Sequence, residues 1–486
     1  SLTVRARGAA IALAFDADTE ISGRHSHVTA DLLLPPGTAP FTGDLSISKL
    51  DLRALAANAP RYAVLKNVPL SASAAIRFTM KRGGVLDAAD FDVTAEGDIP
   101  VKALKGDTLH VKQLRLTGHY DGAGRRLTFQ TANLTTREGQ MRGRGGAELF
   151  YAGGALDRVR TRLAFDRIAV DAPGLFAQPV GYQSAVMEGE YQVAARRFEV
   201  SRFSLTAAGF ALTGSGALTL NDDGAPGLSV HAQIAALPVR TLLRYWPLVV
   251  APGAREWIDN NIFAGTVGPL IANCDFAPGV LDRDILPEDS VNMTFAMQGV
   301  EGSYIKGLTH ATGVDGNALL TGDTFRADFS GGRIGPIQAS SGTALIPALR
   351  KVGTVGTFGV HVDGAMPGIM RLIDMAPLNY AKRFGIDPSQ TGGTASADLS
   401  FSVPMLANLP VDDVGIAVKA QVDDFAVTLG RIHVHNGAVA FDIDNDHLHQ
   451  TGTIGLADSR MTVDWTEDFK TQDNITTRLT MTGNLT

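Results

Sequence analysis

The 486-residue chain carries a formal net charge of −7, with 45% apolar and 19% charged residues. That balance excludes a disordered chain, which lacks the apolar content for a core. It also excludes a nucleic-acid binder, which needs a basic face to neutralise phosphates. Cys274 is the only cysteine, so an intrachain disulfide and any multi-cysteine metal site are excluded as well.

The chain opens in strand-like sequence, "SLTVRARGAAIALAF", with no apolar run of about 18 residues, and ends mid-pattern at "TTRLTMTGNLT". Both ends read as cuts in a longer protein whose targeting or anchoring segment lies elsewhere. Between them, apolar and polar residues alternate with period 2, the mark of a strand with one apolar face. "VNMTFAMQG" puts Val291, Met293, Phe295 and Met297 on one side. "TFGVHVDG" does so with Phe358, Val360 and Val362, and "ASADLSFSVPM" with Leu399, Phe401 and Val403. Phe441 and Ile443 follow, then Met461, Val463 and Trp465 in "RMTVDW". Asp121-Gly122, Asp223-Gly224, Asp315-Gly316 and the Gly-Gly pairs at 83, 153, 331 and 392 read as turns. Strands of about six to ten residues joined by such turns make antiparallel meanders.

Four segments break the pattern and read as helical. Residues 49–60 and 169–179 are short, whereas 237–263 and 366–386 are each a helical pair punctuated by prolines. The two long ones share an approach, "VHAQIAALPVRTLLRYWP" and "VHVDGAMPGIMRLIDMAP", which suggests repeated units of meander closed by a helical element. The expected divisions are 1–236, 237–265, 266–365, 366–388 and 389–486. So little helix cannot cover so many apolar strand faces. These must pack on another sheet or line a long concave groove. Roughly 25–30 strands spaced about 4.8 Å apart would make a continuous sheet on the order of 120–140 Å long. The expected fold is therefore mostly β, a long twisted antiparallel sheet curled into a groove and interrupted by a few short helices.

Catalytic signatures fail on inspection. "GRGGAE" after Arg142 lacks the last glycine of a dinucleotide fingerprint and opens no helix. His25 and His27, His433 and His435, and His447 and His449 are spaced to share strand faces, and the last four could in principle hold zinc or copper. Their apolar neighbours favour a solvated face instead. "DIDNDH" places Asp442, Asp444 and Asp446 like half a calcium loop, but it lacks the glycine at position 6 and has Thr453 at position 12. A hairpin turn explains it more simply. No cofactor and no metal are expected. In "RYWPLVVAPGAREWIDNNIF", Tyr245, Trp246, Trp257 and Ile258 form the apolar stripe of a plug over the sheet, with Trp246 and Trp257 inward. Arg255, Glu256 and Asp259 read as surface charges.

At "YWPLVVAPGAREWIDNNIFAGTV" and at "PLNYAKRFGIDPSQTGGTASADLSFSVPM" the chain resembles the AsmA-like superfamily, specifically its large YhdP-type members. The resemblance implies a body in the periplasm of a Gram-negative bacterium, anchored in the inner membrane by a segment outside this chain. It implies a non-enzymatic bridge along which phospholipids or other acyl lipids move between inner and outer membranes. On that reading the fifteen residues from Val291 to Trp465 named above line the lipid groove. The alternative is a structural or adhesive β-solenoid or sandwich of the cell envelope with a closed core.

Overall fold

The computed structural model describes the whole chain apart from residues 22–23, 59–67, 101–107, 221–225, 281–282, 284, 305–306, 377, 379, 384, 407–408, 411–412, 471–475 and 484–486. Among the described residues there are 27 strands and five short α-helices. Strand accounts for 70% of the structure, and the pairing is antiparallel without closure into a barrel. The mostly-β expectation therefore holds.

The chain divides into two compact units, one made of Ser1–Ile234, Leu243–Arg255 and Ala277–Gly279, the other of Ala235–Leu242, Glu256–Phe276 and Val280–Thr486. In the first unit the strands are β1 (Leu2–Arg7), β2 (Ala10–Ile21), β3 (Arg24–Leu34), β4 (Phe41–Asp51), β5 (Leu70–Met80), β6 (Leu86–Pro100) and β7 (Thr108–Asp121). They continue as β8 (Arg126–Thr136), β9 (Gly139–Ala152), β10 (Ala155–Val170), β11 (Val180–Gln192), β12 (Arg197–Ala207), β13 (Phe210–Leu220) and β14 (Pro226–Ile234). Helix α1 (Leu52–Asn58) follows β4 directly. Leu52 packs with Leu70, Ala72, Ala95 and Val111 on one face of the sheet.

In the second unit β15 (Leu237–Pro238) and β16 (Ile262–Phe276) precede β17 (Val291–Gly302), β18 (Ala311–Thr321), β19 (Phe325–Ile334), β20 (Ile337–Ile346) and β21 (Val355–Ala365). After them come β22 (Thr391–Pro404), β23 (Gly415–Leu429), β24 (Ile432–Asp444), β25 (His447–Leu456), β26 (Ser459–Asp468) and β27 (Thr477–Gly483). The remaining helices are α2 (Val239–Tyr245), α3 (Pro252–Asn261), α4 (Met366–Ile373) and α5 (Tyr380–Arg383).

A recurring β-bulge lets these strands run on while one face stays apolar. In β23 the apolar positions are even, Ile416, Val418 and Val422, and then odd, Phe425, Val427 and Leu429. Between Asp423 and Phe425 the register slips by one residue, and Asp424 sits at φ +53°. β24 makes the same switch with Asn436 at φ +48°, as does β17 with Gly299 at φ +58°. In the first unit β4 slips at Lys49 and β10 at Arg167. An extra residue in one strand bends it and sharpens the twist, so a row of bulges curls each sheet around its apolar face.

These bulges correct several turn assignments. Asp121-Gly122 and the Gly-Gly pairs at 83 and 153 do turn. Asp315-Gly316, Gly331-Gly332 and Gly392-Gly393 instead lie inside β18, β19 and β22, where the register shifts or φ is positive. Gly393 has φ +105°, and a Cβ there would stand 2.6 Å from the Asp423 carbonyl oxygen. Asp223-Gly224 lies outside the described residues. Because bulges replace turns, strands reach 16 residues in β10, beyond the six to ten expected. Residues 169–179 hold no helix: β10 ends at Val170, and Pro173, Gly174 at φ +100° and Pro179 keep the connection to β11 in turns and bends.

Candidate functional site

The second unit carries an extended apolar face. Reading across facing residues, Leu270 stands opposite Phe295, followed by Ala318, Ala327, Ala344, Phe358, Phe401 and Ile416. The neighbouring row runs Met297, Gly316, Phe329, Gly342, Val360, Leu399, Val418, Ile443 and Leu448. A third runs Val362, Ala397, Ala420, Phe441, Gln450, Trp465 and Leu479. Small residues interleaved with large ones let the rings lie over the neighbouring strand. The first unit uses the same device: a Cβ on Gly143 would meet the Phe165 ring at 2.4 Å.

All fifteen residues singled out from the sequence lie on this face. Val362, Met461 and Val463 are buried, and Val291, Met293, Phe295, Met297, Phe358, Val360, Leu399, Phe401, Val403, Phe441, Ile443 and Trp465 are half-buried. Phe295, Met297 and Phe358 pack together over Ala318, Ala327 and Ala344. Val360, Val362 and Leu399 join Ile337 and Ala397. Phe441, Met461 and Val463 cluster with Val422 and Val439. Val291, Met293, Phe401, Val403, Ile443 and Trp465 belong to none of these three clusters.

Helix α4, within the segment read from the sequence as a helical element closing a meander, covers part of this face. Met366, Ile369 and Met370 of α4 pack onto the cluster around Val422, and Ile369 and Leu372 onto the one around Val362. The spacing of Met366, Ile369, Met370 and Ile373 is the i, i+3, i+4, i+7 signature of one helical face. Sequence reasoning missed the alanine floor of Ala318, Ala327 and Ala344, because single alanines do not stand out in a period-2 pattern. Gln450, buried beside Phe441 and Trp465, is a polar intrusion, and the indole Nε1 of Trp465 is buried without a hydrogen-bond partner.

The aromatic segment of 237–263 differs from expectation. Tyr245 is buried, stacked at 4.6 Å on Phe210 and 5.4 Å from Tyr182, whose phenol burial pushes up. Trp246 is half-buried, and its Nε1 donates to the Val250 carbonyl at 2.7 Å. Trp257, in contrast, is 54% exposed and does not turn inward, while Ile258 is half-buried. Arg255 goes inward in its place. Its guanidinium donates to the Leu243 carbonyl at 3.2 Å and the Trp246 carbonyl at 3.4 Å, satisfying acceptors that the end of α2 leaves open. Two residues further along a helix is a rotation of about 200°, so inserting Arg255 turns Trp257 out.

The opposite face of the sheet is mostly polar and ionic, with Ile271, Leu319 and Leu345 as apolar exceptions. His361 Nδ1 meets Asp398 at 2.6 Å, and that bond, opposed by slight desolvation, raises its pKa above the usual imidazole range. In the first unit Arg77 pairs with Asp44, Arg115 with Asp92, His119 with Asp90 and His27 with Asp18. The C-terminal histidines go separate ways: His433 to Thr428, His435 to the Ala457 carbonyl, His447 to Asp444 and His449 to Asp464. Among the described residues no three His, Cys, Asp or Glu side chains are placed to share a metal ion. In the calcium-like stretch, the Asp444 carboxylate accepts the backbone N–H groups of Asp446 and His447, which lowers its pKa and closes the hairpin, while Asp446 pairs with Lys470. Burial pushes the Cys274 thiol up, which suppresses the reactive thiolate. No helix among the described residues is long and apolar enough to cross a membrane.

The model of the YhdP protein family matches residues 105–486, more than three quarters of the chain. The chain belongs to this family. That agrees with the AsmA-like resemblance and places the chain among envelope-associated proteins. No curated protein and no solved structure matched it.

Proposed function

We propose that the chain is a periplasmic, non-enzymatic conduit for phospholipids or other acyl lipids between the inner and outer membranes. It would be held to the inner membrane by a segment outside this chain. The observation that carries the reading is the apolar row from Leu270 to Ile416, continuous over eight strands and backed by a face that carries Thr294, Asn317, Arg326, Asp328, Thr343, Thr357 and Ser400. Membership of the YhdP family supports it. Acyl chains partition onto such a face with about 0.8 kcal/mol per buried methylene, while head groups stay in water. A graded apolar surface without fixed charges suits sliding, because no single point holds the lipid. Methionines such as Met293 and Met297 adapt to passing chains through their flexible thioethers. No residue need be catalytic.

The test is mass spectrometry of lipids that co-purify with the chain, run beside the Phe295→Asp and Phe401→Asp variants. Retained phospholipid that falls in folded variants supports a conduit. A folded wild-type chain free of lipid points to a structural envelope protein with a closed core.

A further inference from the structure

Helix α4 and an acyl chain compete for the same surface. The helix has eight residues, with Pro367 in its first turn, Gly368 inside it and no side-chain cap at Ala365. Helices this short are marginal in water, and an interior glycine weakens them further. Tertiary packing therefore holds α4 in place, and that packing is apolar: Met366, Ile369 and Met370 sit on Val422, Val439 and Met461. Among the described residues, none of the hydrogen bonds made by the helix reaches the sheet. Arg371 Nε returns to the Pro367 carbonyl of its own helix at 2.9 Å, and the Asp374 carboxylate accepts the Lys382 N–H at 3.0 Å. Its flanks are tied down, by Lys382 to Asp374 and by the Thr309 hydroxyl to the Met375 sulfur at 3.6 Å. The segment is thus held at both ends, at its N-terminus by Ala365, which pairs with Thr394 in the β21–β22 ladder, and between them it is docked by non-directional contacts.

We propose that α4 is a displaceable plug that occupies the acyl path at Val362, Val422 and the residues clustered with them, and yields it to a lipid tail. The proposal rests on the conduit reading above. It makes the second unit self-occupied at rest, shielding Val422 and its neighbours from water, and it sets a threshold that short or weakly bound apolar molecules do not cross. Two methionines in the contact suit repeated docking, since a thioether repacks with little strain. A plug that is docked most of the time lowers the apparent affinity for lipid by the fraction of time the path is open.

The experiment uses the full chain, the fluorescent fatty acid cis-parinaric acid and mixed phosphatidylethanolamine–phosphatidylglycerol vesicles. The double variant Ile369→Gln, Met370→Gln frees the helix, and Met370→Ala serves if that variant does not fold. The expected result is probe affinity raised about tenfold, with faster hydrogen exchange of the α4 amides in the wild-type chain when vesicles are added. Equal probe affinity in both chains, with α4 exchange unmoved by lipid, overturns the plug and leaves the conduit reading standing. Folded chains that bind no probe at all overturn the conduit reading, and the plug with it.

Discussion

The segment Leu243–Arg255 and helix α4 resemble each other in sequence approach, yet they are fastened by different physics. Leu243–Arg255 is braced internally by Arg255 on the Leu243 and Trp246 carbonyls and by the Trp246 indole on the Val250 carbonyl, and it is fastened outward by the Leu248 N–H on the Leu175 carbonyl at 2.8 Å and by Tyr245 stacked on Phe210. Helix α4 presents only methionine, isoleucine and leucine to the sheet. A segment braced in this way moves only as a block and must give up its backbone bond to Leu175 to leave, whereas apolar contacts exchange for any other apolar surface at little cost. One helical element thus acts as fixed architecture and the other as an exchangeable cover.

The comparison can be broken by mutation. The largest effect is expected at the floor beneath α4: Val422→Asp puts a carboxylate where 2% of the residue is exposed, with a loss of about 3–5 kcal/mol for an uncompensated buried charge. Denaturant unfolding should show it as loss of the second unit's transition with the first unit's intact. Arg255→Ala should cost about 2 kcal/mol, because the Leu243 and Trp246 carbonyls lose a shared donor. Trp257→Ala, two residues away and exposed, should stay within about 0.5 kcal/mol on the same unfolding curves. If the two substitutions cost the same, the pinned reading of Leu243–Arg255 is wrong.

The smallest effect is electrostatic. The raised pKa of His361 means that its bond to Asp398 contributes stability fully below the ordinary imidazole value, near pH 6.5, and that this contribution fades as pH rises through the raised folded value. The pair is solvent-exposed, so the gain is under about 1 kcal/mol. Unfolding midpoints of wild type and His361→Asn should differ at about pH 5.5 and converge near pH 8.5. A difference that grows toward alkaline pH contradicts the assignment.

Much of this was legible in the sequence, and the failures have a common cause. Period-2 alternation located Phe295, Phe358 and Phe401 on one face, because a pleated strand sends alternate side chains to opposite sides. The turn signals, in contrast, misread Asp315-Gly316 and Gly392-Gly393 as turns. A bulge and a tight turn both need residues tolerant of positive φ, and only the parity switch from Val422 to Phe425 tells them apart. Arg255 was misread because helix charges are usually solvated, and nothing local announces that carbonyls 9 and 12 residues earlier need a donor. The α4 cover was written plainly in its apolar spacing. What it covers depended on residues from Ala395 to Val463, far along the chain, which no local pattern reaches.

The central claim is that one face of the sheet meets acyl chains and the other does not. Photo-reactive amino acids at Phe295 and Phe401, and at their outward neighbours Thr294 and Ser400, test this in cells of a Gram-negative host. Phospholipid adducts at Phe295 and Phe401 alone are the predicted result, whereas adducts spread equally over all four positions, or found at none, would contradict the account.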